Sequence, residues 1–311
     1  MKTAKVIPIH KTGDRHSFNN YRPVSLLSQF SKILEKLFTL RLNSFIEKNN
    51  LLNDFQYGFR TNRSTALAMM KVTEDISTAI DEKKHTIGLF IDLKKAFDTV
   101  DHSILISKLN LFGVRGVVLN WLTSYLHKRQ QYVHFIGHSS KCMNIECGIP
   151  QGSILGPILF LLYINDISEV SNVLRPVLFA DDTAMFCSGK NLNHLIENIE
   201  IELVKLKYWF NNNKLSLNLE KTKFMVFTNK KQEEVKLSID GVTIEKVSEY
   251  RFLGLILDKM LSWKPHISYI KSKLAKIIFV LNNIKYYVSC HVLRMLYCSI
   301  VLPYFTYCVE V

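Results

Sequence analysis

An α+β fold is expected from three features of this 311-residue sequence. Residues 177–187 read as two short apolar strands meeting at Asp181-Asp182, because strand formers flank a dipeptide that favours turns. Residues 85–93 are a second strand-like apolar run, ending at Asp92-Leu93. Residues 28–48 carry Phe30, Ile33, Leu34, Leu37, Phe38 and Phe45 at helical spacing, a stripe expected in the core.

Composition bounds the function. With 48% hydrophobic residues, the chain can bury a sizeable core as one multi-lobed unit. Lys and Arg outnumber Asp and Glu by 40 to 27, giving a net charge of +13. Such an excess on a globular chain points to a polyanionic partner. The cysteines at 142, 147, 187, 290, 298 and 308 show no CxxC pair, which argues against a zinc site and a secreted disulfide scaffold. The first residues are not a signal peptide, and residues 154–164, the longest apolar run, are too short to span a bilayer. An intracellular protein of the nucleus, the cytoplasm or both is expected, with no membrane association.

The acids suggest chemistry. Adjacent ionised aspartates repel, and Asp181 and Asp182 gain most from a cation between them. A hard divalent ion with oxygen ligands, such as Mg2+, fits; an ordinary solvated Asp-Asp turn is the alternative. An acid ending a buried strand is also unfavourable unless it coordinates something. Asp92 with Asp181 and Asp182 could hold two metals for in-line displacement at phosphorus.

Three stretches carry a family resemblance: Phe90-Ile-Asp-Leu-Lys-Lys-Ala-Phe-Asp98, Gly148-Ile-Pro-Gln-Gly-Ser153 and Phe179-Ala-Asp-Asp182. They resemble the central motifs of reverse transcriptases, in wording most like non-LTR (LINE-type) retrotransposons of the jockey group. Tyr21-Arg-Pro-Val-Ser-Leu-Leu27, Gln56-Tyr-Gly-Phe-Arg60, Leu217-Asn-Leu-Glu-Lys-Thr222 and Phe252-Leu-Gly-Leu255 extend it over nearly the whole chain, in the family's order. The resemblance implies an α+β right-hand polymerase with fingers, an antiparallel-sheet palm and a partial helical thumb. It implies an RNA-directed DNA polymerase that uses two Mg2+ ions, an RNA template, a DNA primer and deoxynucleotides. Asp92, Asp181 and Asp182 would be its metal ligands.

In chain order, residues 1–25 read as strand, polar loop and strand. By resemblance they are the fingers hairpin, with Lys11 and Arg22 over the incoming triphosphate. Helix 28–48 follows. Ser64 can cap a helix running to about residue 80, and Arg60 and Arg63 before it are candidates for the template backbone. Phe97, five residues after Asp92, matches the aromatic that lies beneath the nucleotide sugar, where a ring would collide with a 2′-hydroxyl. Asp101 reads as the cap of helix 104–111, with Gly113 as its stop. A helix over 117–126 and a hairpin over 129–147 through Gly137-His138 follow, with His134 and His138 lacking an evident partner.

Residues 148–152 form a side-chain-poor loop opening a helix to about residue 167, with Gln151 implied to contact nucleotide and template and Gly152 to lie near them. From residue 192 a long helix runs to Asn211-Asn-Asn213. Lys221, before strand 222–228, matches a lysine that can protonate pyrophosphate; Lys223 competes for that role. Asp240-Gly241 predicts a hairpin. Leu253 and Gly254 fall in a hairpin resembling the primer grip. Residues 264–285 form an amphipathic helix with Lys271, Lys273 and Lys276 available to a duplex backbone, and a second helix spans about 290–301.

The expected division is 1–84 fingers, 85–262 palm, with 113–147 belonging to palm or fingers, and 263–311 partial thumb. Tyr304, Phe305 and Tyr307 are expected to lack an element to pack beneath. With no endonuclease or RNase H sequence and no Cys/His knuckle, the chain reads as a polymerase fragment of an element. The alternative is a catalytically silent nucleic-acid-binding remnant.

Overall fold

The computed structural model describes residues 2–230, 235–239 and 241–311. Its first elements are β1 (Thr3–His10) and β2 (Tyr21–Leu26), antiparallel as the strand–loop–strand pattern predicts. α1 (Gln29–Lys48) follows, its first turn closed by the Ser28 hydroxyl accepting from Ser31 N–H. Ser64 caps α2 (Thr65–Asp81) in the same way, by accepting from Leu67 N–H. The strand β3 (His85–Ile91) is buried along its whole length, so its continuous apolar run has no period.

Asp101 caps α3 (His102–Leu111) by accepting from Ser103 and Ile104 N–H. Then come α4 (Gly116–Leu126), β4 (Arg129–Phe135), β5 (His138–Ser139) and β6 (Met143–Ile145). The hydrophobic α5 (Gly156–Ile164) is buried from Ile158 to Ile164. β7 (Arg175–Phe179) and β8 (Asp182–Gly189) precede α6 (Leu192–Asn212). The remaining strands are β9 (Lys223–Phe227), β10 (Leu237–Ile239), β11 (Val242–Lys246), β12 (Glu249–Phe252) and β13 (Leu255–Asp258). The helices α7 (Lys264–Ile284), α8 (Cys290–Leu296) and α9 (Leu302–Thr306) follow, with a π-turn joining the last two. Asp240 of the predicted Asp240-Gly241 turn lies outside the described residues, and the strands on either side of it pair antiparallel.

The chain divides into two compact units. The first comprises residues 1–59, 92–172 and 203–218. Its sheet pairs β2 with β1, and β1 with β4 in parallel, and β4 carries β5 and β6. The second comprises 60–91, 173–202 and 219–311. Its sheet runs β10-β11-β9-β3-β8-β7, antiparallel except for the β11–β9 pair. α2 packs on β3 and β7. Ile87, Leu89, Phe90 and Ile91 are each at most 6% exposed at the centre of this sheet, and burial of each such side chain stabilises by about 1.5–3 kcal/mol. Gly88 interrupts them because an added Cβ would sit 2.9 Å from the Phe186 ring and 3.0 Å from that of Phe227.

Three expectations are corrected. The α1 stripe is not core: Phe30, Ile33, Leu34 and Leu37 are 75, 57, 46 and 58% exposed. Helical periodicity identifies an apolar face without identifying what covers it. Tyr307 does have a partner, since its hydroxyl donates to the Leu253 carbonyl at 2.6 Å. His134 pairs through Nδ1 with the Ser139 hydroxyl at 2.9 Å. Among the described residues no helix is long and apolar enough to cross a membrane.

Candidate active site

The β7–β8 hairpin turns through Ala180 and Asp181, with Phe179 paired to Asp182. Ala180 is buried at φ 56°, a left-handed conformation that costs a non-glycine residue about 1–2 kcal/mol and recurs at functional sites. The turn leaves Asp181 and Asp182 exposed while the strands behind them are buried. Across the same sheet Ile91, the last residue of β3, lies opposite Thr183. Asp92 is the next residue in the chain.

Asp92 is half-buried and held by a residue the sequence reading did not single out. Asn218 Nδ2 donates to its Oδ2 at 2.8 Å, and Asn218 N–H donates to its carbonyl at 2.9 Å. A bridge between Leu93 and Leu217, and Lys94 N–H donating to the Ser216 carbonyl at 2.8 Å, extend this pairing. Asn218 sits inside the Leu217–Thr222 motif, but its bond to a residue 126 positions away has no local sequence signal.

Phe97 stacks on Phe160 with ring centroids 4.5 Å apart. The next residue, Asp98, accepts from Gln151 Nε2 at 2.9 Å. Burial raises the Asp98 carboxyl above its ordinary range, against the Gln151 hydrogen bond and the positive charges of Lys95 and Lys11. The loop after it is positioned by backbone contacts: Ile149 N–H donates to the Phe97 carbonyl at 2.8 Å and Ser25 N–H to that of Gln151 at 2.7 Å. Gly148 has φ 86°, and a Cβ there would meet the Asp98 carbonyl oxygen at 2.6 Å. Gly152 has φ 122°, and its Cβ would meet the Ser25 carbonyl oxygen at 2.7 Å. Both positions require glycine. Thus Gln151 is brought onto Asp98 beside Phe97, Gly152 lies against the Ser25 backbone, and the positive charge of Lys11 acts on Asp98. Arg22 is exposed on β2 opposite Ile9.

In the second unit Arg60 and Arg63 are half-buried in the turn before α2. Lys221 is exposed just before β9, whereas Lys223 donates to the Glu220 carbonyl and pairs with Glu245 at 2.5 Å. The β12–β13 turn holds Leu253 at φ 43° and Gly254 at φ 90°. Phe90 stacks on Tyr250 of that hairpin at 4.0 Å, and Tyr307 covers Gly254, whose Cβ would lie 3.0 Å from its ring.

The acids fit a hard divalent ion by donor type, since all are carboxylates. Among the described residues no three His, Cys, Asp or Glu side chains stand assembled to hold a metal by themselves. Mg2+ commonly takes one or two carboxylates and completes its shell with water and substrate phosphates, which this donor set allows.

Comparison with known proteins agrees with the resemblance. The reverse transcriptase (RNA-dependent DNA polymerase) family matches residues 9–257. The chain is 34% identical over 279 residues to the probable RNA-directed DNA polymerase from transposon BS of Drosophila melanogaster, covering 86% of this chain and 30% of that protein. It is 30% identical over 279 residues to the RNA-directed DNA polymerase from mobile element jockey of the same species, covering 87% of this chain and 30% of that one. The chain therefore spans about a third of the length of these curated relatives. Among solved structures, an apo telomerase from Candida tropicalis truncated from its C-terminal domain matches with a TM-score of 0.52 at 14% identity, over 84% of this chain and 54% of that one. That likeness concerns the fold, which is the expected α+β right-hand polymerase. The family match, extending across the strand-end acids and the glycine loop, places the chain in the reverse transcriptase (RNA-dependent DNA polymerase) family.

Proposed function

We propose that this chain is the polymerase portion of a non-LTR retrotransposon reverse transcriptase, extending a DNA primer on an RNA template with deoxynucleotides. The observation that carries the reading is the sheet register: it sets Asp181-Asp182 at the end of the sheet where β3 stops, one residue before Asp92. Family members generally use divalent metal ions, and Asp92, Asp181 and Asp182 are the residues proposed to hold two Mg2+ here. When bound, the two ions would activate the primer 3′-oxygen and offset charge on the departing pyrophosphate.

The remaining roles belong to the chain's own groups. Asn218 fixes the Asp92 carboxylate. Lys11 and Arg22 neutralise the triphosphate. Phe97 bars a 2′-hydroxyl beneath the sugar, and Gln151, oriented by Asp98, contacts the nucleotide and template base. Lys221 delivers a proton to pyrophosphate. Arg60, Arg63 and Gly152 line the template, and the Leu253-Gly254 turn holds the primer. Residues 1–84 act as fingers, 85–262 as palm, with 113–147 belonging to palm or fingers, and 263–311 as a partial thumb. The site of action is inside the cell, in the nucleus or cytoplasm.

The test is extension of a labelled DNA primer annealed to RNA or DNA templates by the purified 311-residue chain. Deoxynucleotide addition on RNA that requires Mg2+ and stops with chelator is expected. Tight template binding with no addition under any divalent ion would instead favour a silent nucleic-acid-binding remnant.

A further inference from the structure

The loop between β1 and β2 holds an apolar ring out in solvent. Phe18 is 93% exposed, the most exposed large apolar side chain among the described residues. Burying such a ring is worth about 1.5–3 kcal/mol, which the fold leaves unrealised. The loop is nonetheless fixed from within. Lys11 N–H donates to the Asn20 carbonyl at 2.8 Å, and Asn20 N–H to that of Ser17 at 3.0 Å. Asn20 Nδ2 donates to the Asp14 carbonyl and His16 N–H to the Asp14 carboxylate, both at 2.9 Å. The Tyr21 hydroxyl donates to the Arg15 carbonyl at 2.8 Å. A ring ordered in advance loses little freedom on meeting a ligand.

The two ends of this loop start a row of rings on the neighbouring strands β2, β1 and β4. His10 lies edge-on to Tyr21 at 5.3 Å, and Tyr21 edge-on to Phe135 at 5.9 Å. Phe135 and Ile136 are exposed, and His10 and Tyr21 are half-buried, so the row reaches solvent. Its surroundings are basic. In residues 1–26 Lys2, Lys5, Lys11, Arg15 and Arg22 outnumber the single acid Asp14, and residues 129–145 contain no acid. Lys11, Arg15 and His16 are exposed in the loop itself. Rings interleaved with cations suit a single-stranded nucleic acid, whose bases stack while its phosphates are neutralised. The row also adjoins the 148–152 loop. The charge of Lys11 acts on Asp98, which accepts from Gln151, and Ser25 N–H of β2 donates to the Gln151 carbonyl.

We propose that Phe18 and the His10–Tyr21–Phe135 row form a stacking site for the unpaired RNA template strand before it reaches Gln151. Naming that strand rests on the polymerase reading above, whereas stacking itself needs no catalysis. Phe18 meets a base face, and Lys11 and Arg15 offset the charge of the adjoining phosphates.

Fluorescence anisotropy of the whole chain in the presence of chelator tests this without any chemistry. Three RNA–DNA duplexes are compared: one with a 5′ RNA overhang of about six uridines, one whose overhang carries abasic linkers with the same phosphates, and one blunt. The uridine overhang should bind at least about tenfold tighter than the abasic one. Phe18→Ala should weaken the uridine overhang about fivefold or more, and Phe18→Trp should retain it. Neither variant should alter binding of the abasic or blunt duplex. Phe135→Ala should act as Phe18→Ala does, and the exposed Phe18 decides the matter if Phe135→Ala does not fold. Equal binding of uridine and abasic overhangs overturns the proposal and leaves the rings to a protein partner. Wild-type binding of the uridine overhang by Phe18→Ala, or equal weakening of all three duplexes, also overturns it. Failure of primer extension with the overhang preference intact would sink the polymerase reading and uphold the stacking site.

Discussion

At the scale of single residues, Phe97 and Asp98 are adjacent and do different work. Phe97 stacks on Phe160 at 4.5 Å, so its ring has a structural partner as well as the proposed role beneath the sugar. Phe97→Val should cost about 1–3 kcal/mol of stability through lost stacking and burial. It should also narrow the preference for deoxyribonucleotides by about tenfold or more, read in single-turnover assays with both nucleotide types. Unchanged discrimination with lowered stability would make Phe97 a packing residue only. Asp98 offers a pH test. Its carboxyl is raised above the ordinary range by burial, so the fold favours the protonated form. That contribution is complete below the unfolded pKa and lost as pH rises through the folded one. Asp98→Asn, which removes the buried charge, should therefore melt higher than wild type near pH 7, with the gain shrinking toward about pH 4. A gain that grows on acidification would reverse the assignment.

Among the elements, the 148–152 loop is the most tightly determined. Gly148→Ala forces a Cβ within 2.6 Å of the Asp98 carbonyl oxygen at φ 86°, and backbone cannot yield as a flexible side chain can. A loss of about 2–4 kcal/mol in urea unfolding is expected, together with weakened nucleotide binding because Gln151 moves with the loop. Near-wild-type stability and nucleotide affinity would mean that the loop is not held by this contact. The elements also show where sequence is legible. β3 and the β7–β8 hairpin could be read directly, since an uninterrupted apolar run and a turn dipeptide between strand formers are local features. The caps Ser64 and Asp101 follow from side-chain reach within one turn. The exposed face of α1 was misread because periodicity carries no information about neighbours. Asn218 on Asp92, Asp98 on Gln151 and Tyr307 on Leu253 were invisible for a related reason: each bond joins residues 53 or more positions apart. The acids and the glycine loop were legible as motifs, but the side chains that fix them were not.

For the whole molecule, a net charge of +13 means that binding to nucleic acid should be dominated by released counterions. Affinity for a primer–template duplex should fall by at least about tenfold between about 50 and 200 mM salt, linearly on logarithmic axes. A flat salt dependence would show that the basic excess does not face the nucleic acid. Charge alone, however, serves a silent binding protein as well as an enzyme. The three aspartates separate the two, because only two-metal chemistry requires them. The most direct measurement is therefore Mg2+-dependent primer extension by Asp181→Asn, run beside template binding by the same protein. The substitution keeps the side-chain shape at an exposed turn residue and removes one charge, so folding and binding should survive while extension falls to background. Extension at the wild-type rate in Asp181→Asn would contradict the account.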